Sequence, residues 1–367
     1  MGNHRVHIEK RFVVSLSRKI ITSVVFILLS LVFSSIFIIA KGFNPFAVYS
    51  KMISYSFFSM RGVSSSIMAG IPLMFCGLSV AFAFNMNINN IGAEGQYAFG
   101  AIVGGGFALF GPDMPLLLKS ITMFSLAAIG GAFWAMIAAA LKSFWNVSET
   151  IVTLMLNYIA LLYLEYLTYG PWMATGQTTP TTATIPKGMY LPNIGNTGIN
   201  SSFLIAIALA VIMQIFFKYS TAGYQMEVIK HSKATASYAA INVSKYIFIV
   251  LCTSGAIAGI TGYAQVAGTV HRLQARLPGG SGYTGIVIAY LSQFNPYAVI
   301  LVSILFGGLV NSGAAIQVMG VPSQIVTMIQ GSMMIFVIAG EYFNNYKVRI
   351  VRSEKNLLIS DQLEDNA

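Results

Sequence analysis

Charged side chains are scarce in this sequence, whereas apolar ones are abundant. Asp, Glu, Lys and Arg make up 9% of the 367 residues and the hydrophobic types make up 56%, with a mean hydropathy of +0.72. A soluble domain of this length buries too little surface to hide so many apolar side chains. The composition therefore excludes an ordinary water-soluble protein and indicates that lipid surrounds most of the chain.

Cysteine and histidine are also rare, with two and four residues respectively. Cys76 and Cys252 both lie inside apolar runs, so we expect them to be small buried hydrophobic side chains. The sequence contains no Cys/His metal spacing, no hydrolytic triad and no GxxxxGK[ST] phosphate-binding loop. It therefore predicts no enzyme activity, metal or cofactor in this chain.

Apolar runs bounded by Gly, Pro, Asn or charged residues predict about ten membrane spans. They lie at 20–40, 63–84, 92–110, 120–141, 149–169, 201–218, 246–268, 283–293, 297–315 and 324–340. The run 283–293 is too short to cross a bilayer as an ideal helix, so it is expected to be re-entrant or to include the glycines before it. The predicted fold class is an all-α polytopic membrane protein with broken or re-entrant segments.

The distribution of the basic residues predicts how the chain is oriented. A net charge of +10 arises from residues that fall between apolar runs rather than on one polar face, which does not favour nucleic-acid binding. With the N-terminus in the cytoplasm, 14 of the 21 Lys and Arg residues are cytoplasmic, as the positive-inside rule expects. Both tails, 1–19 and 347–367, are then cytoplasmic, and the acidic end after Arg352 is expected to be frayed.

The segment FNMNINNIGAEGQ, residues 84–96, carries amides and a carboxylate between two apolar runs. Its polar residues are Asn85, Asn87, Asn89, Asn90, Glu94 and Gln96. A carboxylate at mid-helix costs roughly 2.5–3.5 kcal/mol on insertion scales, so Glu94 should face a wet cavity, a partner or the interface. One interpretation is that these residues, with Asn157 and Gln265, line or gate a solute path. The other is a polar turn at the cytoplasmic boundary in which Asn residues cap helix ends.

Three further features each allow two interpretations. The inner loop around 234–241 is a short amphipathic helix that either lies on the cytoplasmic leaflet or docks a soluble partner. Tyrosines near the outer end of the fifth span form an interfacial belt or, alternatively, a lining for a flat hydrogen-bonding solute. The run GGSGYTG, 279–285, has GxGxxG spacing without a preceding strand, so we expect a break or close helix approach beside the transport path, not a dinucleotide site.

Four segments together resemble the permease subunits of bacterial ABC importers in the ribose and branched-chain amino acid permease superfamily. They are GLSVAFAFNMNINNIGAEGQYAFGA (77–101), SETIVTLMLNYIA (148–160), the inner loop through YAAINVSKY, and GGSGYTGIVIAYLSQFNP (279–296). Within that superfamily, NIGAEGQ, TLMLNYIA followed by GPW, and GVPSQIVTMIQG are most similar to the branch that imports purine nucleosides with a lipoprotein receptor. The resemblance extends from about Ser64 to Tyr346.

The resemblance implies a transmembrane permease domain at 20–346, in the bacterial cytoplasmic (inner) membrane. It implies as partners a second, homologous permease, an ATP-binding cassette ATPase that binds ATP and Mg²⁺, and an extracytoplasmic substrate-binding lipoprotein. The coupling loop would be 219–245, with a coupling helix formed by Ser232, Lys233, Ala236, Tyr238, Ala239, Ala240, Ile241 and Asn242. A glycine is common in the family where Ala240 stands, so the end of this helix is expected to differ.

The resulting hypothesis is an importer of purine nucleosides that works by alternating access. One alternative is the same machine carrying a simple sugar such as ribose. Another is an ion-coupled secondary transporter, with Glu94 or Glu165 as the coupling site. A membrane scaffold without a substrate is the third, and it predicts that the Asn cluster has no effect on uptake.

Overall fold

The computed structural model describes residues 4–10, 16–176 and 178–352, and the described part of the chain consists almost entirely of α-helices. The helices are α1 (Leu16–Ala40), α2 (Pro45–Phe57), α3 (Met60–Phe84), α4 (Ala93–Phe110), α5 (Leu116–Trp145), α6 (Glu149–Tyr169), α7 (Ser202–Tyr219), α8 (Thr221–His231), α9 (Lys233–Tyr238), α10 (Val243–Gln265), α11 (Ser281–Leu291), α12 (Pro296–Gln317) and α13 (Gln324–Asn345). Two strands, β1 (His4–Lys10) and β2 (Tyr346–Arg352), pair antiparallel. The acidic end predicted to be frayed lies outside the described residues.

The all-α polytopic class is confirmed. Eight helices of the described residues are long and apolar enough to cross a membrane: α1, α3, α5, α6, α7, α10, α12 and α13. The other two predicted spans correspond to α4, with 18 residues, and α11, with 11. An 11-residue helix is only about 16 Å long, so the expectation that 283–293 does not cross as an ideal helix is confirmed.

Helix α2 is an element that hydropathy did not predict as a separate helix. Asn44 caps its first turn by accepting a hydrogen bond from the Phe46 N–H at 2.9 Å, and Pro45 occupies the first helical position. Its buried face packs against α12, where the Ser56 hydroxyl donates to the carbonyl oxygen of Gly308 at 2.6 Å. The Ser66 hydroxyl of α3 donates in turn to the carbonyl oxygen of Ser56 at 3.1 Å, so α2 connects α12 with α3.

Small residues allow the long helices to pack with their backbones in contact. A Cβ atom on Gly131 of α5 would contact the carbonyl oxygen of Gly255 on α10, and one on Gly259 would contact that of Ala127. Gly100 of α4 approaches the same stretch of α10. Helix α10 thus packs against both α4 and α5, which also contact each other, and its other side packs on α3. The centre of the bundle therefore has no room for side chains at these glycines.

Two non-helical segments carry the chain into the interior before α4 and α11 begin. Residues 85–92 follow α3, and residues 271–280 follow a single π-helical turn, Val266–Val270, at the end of α10. The two short helices then begin beside one another, because a Cβ atom on Gly282 would lie 2.6 Å from the Cα atom of Glu94. The close approach expected of the GGSGYTG run is confirmed by this contact.

Candidate functional site

The polar segment, residues 85–94, leaves the end of α3 and runs back into the helix bundle. Asn85 donates a hydrogen bond from Nδ2 to the carbonyl oxygen of Phe294 at 3.1 Å. Asn87 has a left-handed backbone conformation, with φ of 55°, and donates to the carbonyl oxygen of Lys230 at 2.9 Å. The start of the segment therefore joins the end of α3 to the end of α8 and to the turn after α11.

Asn90 and Gln96 form a reciprocal pair of amide hydrogen bonds in the interior. Each side-chain nitrogen donates to the other side chain's carbonyl oxygen at 3.0 Å. Asn90 also donates to the hydroxyl of Ser254 on α10 at 2.8 Å, and Ser254 in turn donates to the carbonyl oxygen of Ser79 on α3 at 2.7 Å. Both amides are buried, and buried amides require such partners. Here the partners lie within the chain.

Glu94 lies where the N-termini of α4 and α11 meet, and its side chain is 2% exposed. Its two carboxylate oxygens accept hydrogen bonds from the backbone N–H groups of Gly280 at 2.7 Å and Gly282 at 2.6 Å. The residue is also in the first turn of its own helix. Helix N-termini carry a partial positive charge, so both dipoles favour a carboxylate at this position. Glu94 therefore connects the two short helices.

Asn157 on α6 holds the same junction from the other side. Its Oδ1 accepts a hydrogen bond from the Gly95 N–H at 2.9 Å, and its Nδ2 donates to the carbonyl oxygen of Ile91 at 2.9 Å and to the Tyr283 hydroxyl at 3.2 Å. The side chain is fully buried. Asn157, Asn90, Gln96 and Glu94 thus belong to one connected network at the start of α4.

Four of the predicted path residues lie outside this network: Asn85 and Asn87, described above, and Asn89 and Gln265. Asn89 has an exposed side chain in the polar segment. Gln265, at the end of α10, borders a cleft of about 760 Å³ between the start of α3 and the end of α10. The cleft is lined by Met60, Arg61, Ser64, Ser65, Met68, Ala69, Asn196, Thr197, Gly198, Gln265 and Thr269. Its volume falls within the ~300–1,000 Å³ that small-molecule sites occupy, and hydroxyl and amide groups dominate its polar lining.

A row of stacked aromatic rings extends from the interior to the exposed face of α6. Trp134 on α5 stacks on Phe99 of α4 with ring centroids 4.3 Å apart, and Phe99 lies 6.4 Å from Tyr163 at a 26° interplanar angle. Tyr163 stacks in turn on Tyr166, which is 65% exposed. Tyr158, at the midpoint of α6, is also exposed. The tyrosines therefore reach the middle of the helix, whereas an interfacial belt predicts them only near its ends.

The inner loop folds as two short helices, α8 and α9. Ser232 caps α9 by accepting a hydrogen bond from the Thr235 N–H at 3.2 Å, and Asn242 caps α10 by accepting one from Lys245 N–H at 3.0 Å. Within the predicted coupling helix only Ala236 is buried, and Tyr238 is 93% exposed. The remaining predicted residues, Lys233, Ala239, Ala240 and Ile241, surround this exposed end. The loop is thus an accessible protrusion.

Several contributors to the network were not identified from the sequence. Ser79 and Ser254 read as ordinary small residues inside apolar runs, and Tyr283 reads as one more aromatic in a glycine-rich stretch. The backbone N–H groups of Gly280 and Gly282 leave no side-chain signal at all. Only the need of buried amides and carboxylates for partners predicts that such residues exist.

Apolar spans, two short helices that meet at a buried carboxylate, and an exposed inner loop define a multi-pass membrane protein with a polar interior. A profile of the family described as "Branched-chain amino acid transport system / permease component" matches residues 62–338. The chain belongs to this family. It is therefore the permease component of an ABC transporter and not itself an enzyme.

Three curated relatives are similar along most of their length. The chain is 28% identical to the glucose ABC transporter permease of Haloferax volcanii, and the match covers 90% of each chain. It is 26% identical to a nucleoside ABC transporter permease of Lactococcus lactis, over 88% of this chain and 91% of the relative. It is 30% identical to the guanosine ABC transporter permease of Bacillus subtilis, over 89% and 93% respectively. Relatives of both substrate classes are thus similar to this chain.

Proposed function

We propose that this permease imports nucleosides, purine nucleosides in particular, by alternating access. The observation that carries the substrate class is the stacked row that ends at the exposed Tyr166. A purine base is a flat ring that adds to such a stack, and base–aromatic stacking contributes ~1–3 kcal/mol. A simple sugar has no flat π-face. The printed names of two of the relatives, nucleoside and guanosine permeases, agree with this substrate class.

The proposed path combines the exposed face of α6 with the cleft between the start of α3 and the end of α10. In the cleft, Gln265, Ser64 and Ser65 supply amide and hydroxyl groups that match a ribose and a base edge. The buried members of the predicted set, Asn90 and Glu94 among them, hold the helices that border this path. Direct contact between these buried groups and solute would require their hydrogen bonds within the chain to open.

An ABC permease works with an ATPase and a binding protein, and we propose specific partners here. They are a homologous second permease facing α6, a cytoplasmic ATPase docked on the coupling loop 219–245, and an extracytoplasmic binding lipoprotein. ATP and Mg²⁺ would bind the ATPase. The transmembrane permease domain would be 20–346, with both tails cytoplasmic in a bacterial inner membrane, because this orientation agrees with the positive-inside rule.

Two alternatives make different predictions about uptake. A simple-sugar permease is favoured by the glucose relative from Haloferax volcanii. An ion-coupled transporter would need a carboxylate that exchanges ions during the cycle. Glu94, whose two oxygens are both occupied by backbone N–H groups, is poorly suited to that role.

The test is uptake into proteoliposomes that hold this chain with its permease partner, ATPase and loaded binding protein. We expect ATP-dependent uptake of labelled guanosine and adenosine that excess ribose or glucose does not compete. Sugar-specific uptake would overturn the substrate class, and uptake without ATP would overturn the mechanism. Tyr166→Leu should raise the KM for nucleosides several-fold, whereas Tyr219→Leu, an exposed tyrosine at the inner end of α7, should leave it unchanged.

A further inference from the structure

Helix α11 is held at both of its ends by the same polar segment. At its N-terminus, Glu94 accepts hydrogen bonds from Gly280 and Gly282. After its C-terminus, the carbonyl oxygen of Phe294 accepts a hydrogen bond from Asn85 at 3.1 Å. Ten residues of chain thus run beside an 11-residue helix and bind both of its ends.

Left-handed residues flank α11 on each side. Gly279 and Gly280 precede it with φ of 58° and 86°, and Gln293 and Phe294 follow it with φ of 51° and 61°. Non-glycine residues rarely adopt this conformation, and two in succession form a sharp turn rather than a continuation of a helix. The backbone therefore separates α11 from both α10 and α12. A short helix between two sharp turns can move as a body when its ends are displaced.

The polar segment is also bound to the inner loop. Asn87 donates to the carbonyl oxygen of Lys230 in the last turn of α8 at 2.9 Å, and the Lys230 ammonium lies 6.0 Å from the centre of the Phe294 ring. The single residue Ser232 connects α8 to the exposed helix α9. A force applied to α9 would therefore reach both the polar segment and the end of α11 through contacts at the end of α8.

We propose that the polar segment and α11 form a linkage that carries movement of the inner loop to the junction of α4 and α11. This inference rests on the proposed function, because it assumes that a partner ATPase moves α9. Asn85, Asn87 and Glu94 are then positioning residues that act through α11 and do not touch solute. Asn87 is the connection whose loss uncouples the loop from the helix.

The test compares two identical substitutions at left-handed asparagines. Asn87→Gly removes the amide that binds Lys230, and glycine accepts the φ of 55° without strain. Asn146→Gly is the matched control, because Asn146 is exposed at the end of α5, has φ of 52°, and has no side-chain hydrogen bond among the described residues. In proteoliposomes of the complete transporter we would measure ATP hydrolysis and nucleoside uptake together.

For Asn87→Gly we expect ATP hydrolysis within twofold of the wild type and uptake per ATP reduced at least fivefold. Asn146→Gly should leave both rates unchanged. Asn87→Asp keeps the shape of the side chain but presents an acceptor to the Lys230 carbonyl oxygen, so it should give the same result as Asn87→Gly. It is the variant to use if the glycine variant fails to assemble. Because uptake per ATP is compared within one preparation, differences in the yield of the assembled transporter cancel.

Unchanged uptake per ATP in both Asn87 variants would overturn the linkage. A proportional fall in hydrolysis and uptake would also overturn it, because Asn87 would then serve assembly or folding instead of coupling. Failure of the proposed function has a different result: the wild-type transporter itself would lack ATP-driven nucleoside uptake. That result would remove the linkage together with the function on which it rests.

Discussion

At the scale of single residues, Glu94 explains how a carboxylate is tolerated inside this bundle. Taking a charge out of water is costly unless it is paired or fully hydrogen-bonded. Glu94 gains two backbone N–H donors and two helix N-termini, and hydrogen bonds to charged groups contribute ~1.5–3 kcal/mol each. Gly282 is required for this arrangement, since any side chain there would displace the first turn of α4. The carboxylate of Glu94 thus holds the starts of the two short helices together.

Ala240 provides a prediction at the same scale. Its φ is 56°, in the left-handed region where a side chain costs ~1–2 kcal/mol, which agrees with the glycine that the family resemblance leads us to expect at this position. After allowing for the greater flexibility of unfolded glycine, Ala240→Gly should stabilise the protein by about 0.5–1 kcal/mol. Thermal unfolding in detergent would detect this as a higher Tm. Ala239→Gly, at φ of −80°, is the control and should lower the Tm; a lower Tm for Ala240→Gly would contradict the assignment.

Among the elements, hydropathy predicted the long helices because each has about 20 apolar residues, and length is what the bilayer selects. It did not predict α2, whose 13 residues include Lys51 and several serines. Hydropathy also could not predict the partners of Glu94, because Gly280 and Gly282 are more than 180 residues away in the sequence and contribute only backbone groups. The sequence indicated that the carboxylate needs a partner, but only the packing of α4 against α11 determines which one.

The contact between α5 and α10 gives a prediction at the element scale. Gly259→Ala would drive a methyl group into the carbonyl oxygen of Ala127 and the backbone of Gly131. Overpacking of this kind costs ~1–3 kcal/mol, and here neither neighbour is a flexible side-chain end, so we expect a lower Tm in detergent. Gly331→Ala on α13 is the matched control, because nothing lies within 4 Å of its Cβ position, and it should be neutral or slightly stabilising. Equal effects of the two variants would contradict the close packing.

At the scale of the whole molecule, the predicted number of crossings agrees with the pairing of the first strand with the last. Eight helices can span the membrane alone by their length and composition, and the sequence predicts two further spans that correspond to α4 and α11. Ten crossings would return the chain to the side on which it began. The pairing of β1 with β2 brings residues 4–10 and 346–352 together, which agrees with an even number of crossings. Six of the ten predicted spans precede the inner loop, so ten crossings would put it on the same side as these two strands.

This arrangement predicts which exposed positions are accessible from each side of the membrane. Ala239, directly after α9, and Asn193, in the outer loop, are both exposed, and each can be replaced by a single cysteine. With the termini cytoplasmic, a membrane-impermeant maleimide added to intact cells should label Asn193→Cys alone, and inverted vesicles should expose Ala239→Cys. The unsubstituted chain is the blank, because Cys76 is buried and Cys252 lies within an apolar span. The reverse pattern would place α9 outside the cell, where no cytoplasmic ATPase could bind it, and would overturn both the orientation and the docking role of the inner loop.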